Sequence, residues 1–379
     1  MTSRLSPDRL LFFSTVALVG FGLLMVYSAS APLATEQFGD PASIFWRQAV
    51  WAVLGVGAML VLMRLDYRRL AHPAVLFPGI FFALVLLVLV LWTAPHQQTN
   101  RWLRWRALSF QPSEFAKLML VVFMAWWLAQ RSGRLTSFLR DILPALGLMG
   151  VMVLLILREP DLGTPIAIVL VCSAMFFIAG LSMRYYLYLI LAALPAFYLL
   201  VYRVPYRRAR ILAFLDPYAD PLGNGFQIIQ SLISVASGGP AGVGLMNSRQ
   251  KLFFLPAPHT DFIFAVTAEE LGLWGGMLVL GLFLVYFWRG WRTSLLAPDD
   301  YGCYLAAGLT LMIFCQSLIN LSVVLALLPP KGIPLPFMSY GGSSLFFALA
   351  ATGVLLNISR QAEWGQKIRS VEHGSSNSV

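Results

Sequence analysis

The feature that most constrains this chain is a series of apolar runs close to the length of a membrane span, separated by short polar segments. A helix needs about 20 residues to cross ~30 Å of hydrocarbon, and only helices or closed barrels satisfy their backbone polar groups there. Ten such runs occur, roughly at 10–30, 44–63, 74–93, 112–130, 142–157, 163–181, 185–202, 262–288, 301–328 and 337–358. They predict an all-α polytopic membrane protein of about ten transmembrane helices, forming one membrane domain over residues 1–379. Only 12% of residues are charged, against ~25% in a soluble domain. The segments between spans are too short for a soluble catalytic domain, so any chemistry is expected at the membrane itself.

The run from Leu10 to Val26 follows Arg4 and Arg9 and precedes Ser28-Ala29-Ser30, as a signal peptide would. Signal h-regions are usually about 7–15 residues long, so this run reads as a retained first helix with its N-terminus in the cytoplasm. Arg64, Arg68 and Arg69, then Arg131, Arg134 and Arg140, then Arg289 and Arg292, then Arg360, Lys367 and Arg369 fall on that same side. The positive-inside rule therefore puts both termini in the cytoplasm. The residues after Gln361 read as a polar, mobile cytoplasmic tail, 362–379. Cys172, Cys303 and Cys315 lie inside spans, and no disulfide framework is expected. The net charge of +10 is largely used by topology, which argues against nucleic acid as a partner.

Three of the outward-facing segments stand out. The largest, 203–261, lies between the seventh and eighth spans, and within it Phe226–Ala236 reads as a short amphipathic helix bounded by glycines. The second, 93–111, carries Arg101, Trp102, Arg104, Trp105 and Arg106, which suit headgroup anchors. The third, 328–344, is stiffened by prolines and carries Lys331 and Ser339. Arg203, Arg207, Arg208, Arg210, Arg249, Lys251 and Lys331 thus stand outside, where they need an anionic partner: lipid phosphate or a pyrophosphate-bearing substrate. Arginine's planar fork suits phosphate oxygens.

Carboxylates near hydrocarbon cost at least ~2.5 kcal/mol on insertion scales and call for a reason. Asp261 opens the eighth span, as a helix cap or as a catalytic group. Glu269 and Glu270 follow about two turns deeper, where a neighbouring helix must supply a partner. Glu114 and Lys117, three residues apart on one helical face, form either an internal ion pair or a substrate-phosphate contact with Glu114 tuning the lysine or helping to hold a cation. Arg158-Glu159-Pro160-Asp161 reads as a structural turn, and His259 as a local hydrogen-bonding group or a base. No Walker A, dinucleotide-binding or HExxH motif occurs, so no nucleotide cofactor is expected.

Phe110–Lys117, Pro160–Thr164, Asp216-Pro217 through Gln230-Ser231, His259–Gly272 and Gly332–Ser344 together resemble the SEDS family (shape, elongation, division and sporulation). Asn247–Lys251 and Pro330–Gly332 resemble its division branch, FtsW, more than its elongation branch, RodA. Ala257-Pro258 and Glu159 depart from the commoner family residues, glutamate and glutamine. The resemblance implies a ten-helix polymerase in the bacterial plasma membrane, at the division septum. Its substrate would be lipid II, joined into β-1,4 glycan strands with release of undecaprenyl pyrophosphate. A class B penicillin-binding protein and other division-complex membrane proteins would be its partners. Asp261 matches the family's essential aspartate, and Glu114 and Lys117 its functionally important pair.

The leaving group of such a substrate departs as a stabilised anion, so one base suffices where glycoside hydrolysis usually needs two carboxylates. Asp261 would activate the acceptor 4-hydroxyl, worth about 10²–10⁴ in rate. Lys117, Lys331, Ser339 and the Arg203–Arg210 group would meet the pyrophosphate, with a divalent cation, Mg²⁺ or Mn²⁺, sharing the load. His259, Glu269, Glu270 and Asp161 would support the site. Elongation-type polymerisation, lipid II transport across the bilayer, and a scaffold role in recruiting a transpeptidase are the alternatives.

Overall fold

A computed structural model describes residues 7–93, 101–105, 108–132, 137–159, 161–198 and 202–376. Twelve helices follow in order: α1 (Arg9–Phe38), α2 (Ser43–Leu62), α3 (Pro73–Thr93), α4 (Pro112–Ala129), α5 (Leu143–Arg158), α6 (Gly163–Ile178), α7 (Met183–Phe197), α8 (Pro205–Leu215), α9 (Phe226–Gly238), α10 (Ile263–Leu295), α11 (Asp300–Val324) and α12 (Gly342–Ser376). Each of the ten predicted spans coincides with a helix, and α8 and α9 lie within the long outer loop. Eight helical segments, α1–α4, α5 with the π-helical turn that precedes it (Phe138–Arg158), and α10–α12, are long and apolar enough to cross a bilayer. Sixteen-residue α6 rises only ~24 Å. The protein is thus an all-helical polytopic membrane protein with eight to ten spans.

Burial explains the arrangement. The apolar part of α12 is buried almost throughout, as are most of α4 and α11, whereas α2, α3, α5 and α10 turn much of their surface outward. The first group is the core and the second the lipid-facing shell: α12 packs on α2 and α11, α4 on α3 and α11, and α10 on α1, α9 and α11.

Polar contacts tie both chain ends to one face. The Asp8 carboxylate caps α1 through Leu11 N (3.0 Å) and pairs with Arg289 at the far end of α10 (2.5 Å). Its backbone N–H donates to Ser359 Oγ of α12 (3.2 Å). Arg68, after α2, pairs with Asp299, before α11 (2.6 Å). This is the arginine-rich face that the positive-inside rule assigns to the cytoplasm.

Three local outcomes differ from expectation. The segment read as headgroup anchors folds as a hairpin, with β1 (Leu103–Trp105) antiparallel to β2 (Leu108–Phe110), so its backbone groups satisfy one another near the membrane; Arg106 lies outside the described residues. The cluster read as loop arginines starts a helix, α8, with Pro205 at a position where its missing N–H costs nothing. At the other end, the α12 backbone stays helical to Ser376, through most of the stretch read as tail.

Candidate active site

The backbone of residues 259–261 is fastened before α10 begins. Asn320 Nδ2 of α11 donates to both Asp261 O and Ile333 O, each at 2.8 Å. Ser339 Oγ donates to Thr260 O (2.6 Å) and accepts from Leu335 N (2.7 Å). Tyr340 N donates to His259 O (2.9 Å). Two outer segments far apart in sequence, 259–261 and 332–340, therefore move as one piece. Ser339, expected to touch substrate, instead spends its hydroxyl on this brace.

The Asp261 carboxylate is left for other work. The N-cap position of α10 is Phe262, with no side-chain cap bond, so Asp261 is not the helix cap that local sequence allowed. It lies against Gly332: a Cβ built on that glycine would stand 3.0 Å from Asp261 Oδ2 and 3.7 Å from Arg101 Nη1. Burial pushes the Asp261 carboxyl up to about 6, Arg101 and Arg210 pull it down, and Asp161 raises it further. A carboxylate so placed is mostly ionised at neutral pH and basic enough to accept a proton.

Each neighbour is held by the fold. Arg101 Nε donates to the backbone carbonyl of Glu159 (3.3 Å). Arg210 Nη1 donates to Pro330 O (3.2 Å) and its guanidinium lies 4.6 Å from the Tyr206 ring. Asp161 accepts from Gly163 N (2.8 Å) and Thr164 Oγ1 (2.8 Å) at the start of α6, bonds of the kind a tight turn uses, and its charge still bears on the site. Burial holds the Lys331 ammonium below its ordinary range, and the Asp161 charge opposes that shift. Glu159 is wholly buried, and neither carboxylate oxygen has a hydrogen-bond partner among the described residues.

The other predicted residues divide. Arg207 and Arg210, one turn apart on α8, are half-buried, and Arg207 donates to Leu157 O (3.4 Å). Arg203 and Arg208 are exposed, and Arg208 lies 5.1 Å from the Tyr202 ring. His259 has a buried Nδ1 with no partner among the described residues, and burial pushes its imidazole down to about 4, so it is neutral at physiological pH. Lys117 Nζ donates to Glu114 Oε1 (2.9 Å) and to Gln316 Oε1 of α11 (2.7 Å), with both charged groups 5% exposed. Beside the lysine, Leu120, Ile168, Val171, Cys172 and Met312 line a narrow apolar cleft.

Glu269 and Glu270 are not in this cluster. Glu269 accepts from Ser248 Oγ (2.5 Å), Arg249 N (2.9 Å) and Ser234 Oγ of α9 (3.2 Å). Glu270 accepts from Ser28 Oγ of α1 (2.6 Å) and Lys251 Nζ (2.9 Å). Most of their partners come from the outer loop, which lies across a break in α10 at Gly272 (φ 65°). A Cβ there would come within 2.4 Å of Gly242 N. Among the described residues no three His, Cys, Asp or Glu side chains stand close enough to hold a metal ion, so these residues do not fit a resident metal.

Sequence reasoning passed over Arg101, read as a headgroup anchor, and Glu159, read as part of a turn. It did not single out Asn320 or Gly332. The available signal was that Arg101 and Glu159 stand in segments that also border the outer face.

Fold and site together define a polytopic membrane protein that gathers carboxylates and cations at its outer face. Residues 9–364 match the cell cycle protein family of FtsW, RodA and SpoVE, and the chain belongs to that family. It is 47% identical to stage V sporulation protein E of Bacillus subtilis over 96% of this chain and 100% of that protein. It is 44% identical to a probable peptidoglycan glycosyltransferase FtsW of Geobacter sulfurreducens, over 93% and 95% of the two chains. Among solved structures, a chain of a peptidoglycan synthase complex that coordinates polymerization and crosslinking superposes with a TM-score of 0.76 at 34% identity, over 94% of this chain and 98% of that one. The crystal structure of RodA from Thermus thermophilus gives 0.69 at 30% identity, over 95% and 98%.

Proposed function

We propose that Asp261 is the single general base of an inverting transfer between two lipid-linked sugars. The chain is a peptidoglycan glycosyltransferase of the FtsW and SpoVE type, acting in septal or sporulation cell-wall synthesis. The observation that carries the mechanism is a carboxylate, that of Asp261, set against Gly332 beside Arg101, with Arg101 and Arg210 both held by backbone carbonyls. It would take the proton of the acceptor 4-hydroxyl on one lipid II. Arg101, Arg210 and Lys331 would stabilise the charge developing on the departing undecaprenyl pyrophosphate. Attack opposite that group converts an α-linked donor into a β-1,4 product. A Mg²⁺ or Mn²⁺ ion would be held chiefly by the pyrophosphate oxygens. A class B penicillin-binding protein is the proposed partner and the septum the proposed location.

Purified protein supplied with lipid II in detergent, alone and with such a transpeptidase, is expected to make glycan strands. No polymer under Mg²⁺ or Mn²⁺, with transport of labelled lipid II across liposomes, would replace this reading by the transporter one.

Two variants test the geometry. In Gly332→Ala the new methyl must displace the Asp261 carboxylate by a few tenths of an ångström; because a 1 Å misplacement can cost about 10²-fold, a roughly tenfold drop in kcat is expected. Wild-type kcat would mean that the carboxylate does not work beside Gly332. Lys117→Met leaves Glu114 buried without its cation, a loss of about 3–5 kcal/mol, read as a lower Tm. Glu114→Gln/Lys117→Met should recover most of that Tm. If the double variant also polymerises with the wild-type KM, the pair is structural and Lys117 is no substrate contact.

A further inference from the structure

Glu159 ends α5 as its C-cap residue and is the one wholly buried carboxyl near Asp261 that the proposed mechanism does not use. Its side chain is 0% exposed, and neither oxygen meets a donor among the described residues. Asp161 keeps its own carboxylate busy with the α6 backbone and the Thr164 hydroxyl. An ionised carboxylate buried without a hydrogen bond is costly enough that such a group takes up a proton instead. Arg101 touches both sides of the problem: its Nε is held on the Glu159 backbone carbonyl, while its Nη1 stands beside Gly332, where Asp261 Oδ2 also lies.

We propose that Glu159 is a positioning residue carried as the neutral acid, whose lack of charge leaves the Arg101 fork directed to the Asp261 side of the site for the substrate's pyrophosphate. This rests on the glycosyl-transfer reading above. Once ionised, Glu159 becomes a competing anion for the same guanidinium, and the pyrophosphate loses a ligand. The charged groups bearing on Glu159 support the balance. Burial and the Asp161 charge hold its carboxyl up to about 8, and Arg101 pulls the other way. Arg207 reaches the α5 end through Leu157 O, while Arg210 and Lys331 bear on Asp261 and Asp161 respectively. Arg158, next in the chain, is exposed.

The sign follows. A carboxyl titrating near 8 is neutral at pH 7 and about nine-tenths ionised at pH 9, so the population holding Arg101 in place falls about tenfold over that range. In wild type, KM for lipid II is expected to rise by up to about tenfold from pH 7 to pH 9, with the acid limb set by Asp261 unaffected. In Glu159→Gln, which keeps the shape and cannot ionise, that rise should shrink to whatever Lys331 alone contributes. An equal rise in both proteins would overturn the proposal.

A second measurement needs no activity. Infrared spectra of Asp261→Asn and of Asp261→Asn/Glu159→Gln, both folded by thermal melting, should differ at pH 7 by one protonated-carboxyl band that disappears on going to pH 9. Absence of that band would overturn the neutral acid even if polymerisation is normal. Its presence together with a wild-type protein that makes no polymer would instead locate the failure in the glycosyl-transfer reading.

Discussion

Asp261→Asn is expected to lower glycan synthesis by about 10²–10⁴-fold, the usual worth of a positioned general base, while leaving the protein as stable as wild type or more so. The two halves of this expectation share one cause. Burial raises the Asp261 carboxyl from 3.8 to about 6, so the fold favours the protonated form and ionisation is the unfavourable state. At pH 7 that difference is a destabilisation of ~3 kcal/mol. It develops as pH rises from about 4 through 6 and is fully present above the folded value. Asparagine removes the charge and with it the penalty, at nearly unchanged shape. Activity runs the opposite way, since the base must be ionised: kcat should fall as pH drops below about 6, where wild-type Tm should rise. An Asp261→Asn protein that melts well below wild type would mean that the carboxylate is structural, and its lost activity would then say nothing about a base. Wild-type polymerisation by a folded Asp261→Asn would remove Asp261 from the chemistry.

The spans were legible because the bilayer imposes one length and one polarity on every crossing segment; α1 through α5 and α10 through α12 obey both, while α6 and α7 keep the polarity at shorter length. Asp261 was legible for the same reason: a carboxylate at a span's mouth violates the pattern. What periodicity cannot carry is which outer segments meet. Gly332, 71 residues from Asp261 in sequence, is beside it because Asn320 bonds Asp261 O and Ile333 O at once. Neither residue carries a charge that would draw attention. Arg101 was hidden differently, since an arginine among tryptophans is the ordinary dress of a membrane interface. Its contact with Glu159 O and its place beside Asp261 distinguish it from an anchor. Glu269 and Glu270 looked as exceptional as Asp261, yet their oxygens are taken by serines, a backbone N–H and a lysine within the fold. Sequence marks where charge is costly, and the hydrogen-bond partners decide whether that cost serves structure or chemistry.

Those two glutamates carry the second large effect. Lys251→Met is expected to lower stability by about 3–5 kcal/mol, because it strands Glu270, 0% exposed, without its cation. Ser28 Oγ still donates to the carboxylate, but a hydroxyl supplies no opposite charge. Removing both charges, in Lys251→Met/Glu270→Gln, should restore much of the Tm, as replacing a buried pair is far less harmful than halving it. The kinetic consequence separates this latch from a merely stabilising contact. Residues 239–251 lie on α10 through Val243 N to Glu269 O (3.0 Å), Gly244 N to Glu270 O (3.0 Å) and Leu273 N to Gly239 O (2.9 Å), and the chain runs on from there into Asp261. Loosening that seat should blur the position of the carboxylate more than that of the proposed pyrophosphate ligands, Arg210 on α8 and Arg101 before β1. Below its own melting temperature, Lys251→Met should therefore lose kcat with KM nearly unchanged, and the double variant should regain part of it. A Lys251→Met protein with wild-type Tm would show that water reaches Glu270 and that the latch does not hold the loop; a normal Tm together with a raised KM would make Lys251 a substrate ligand.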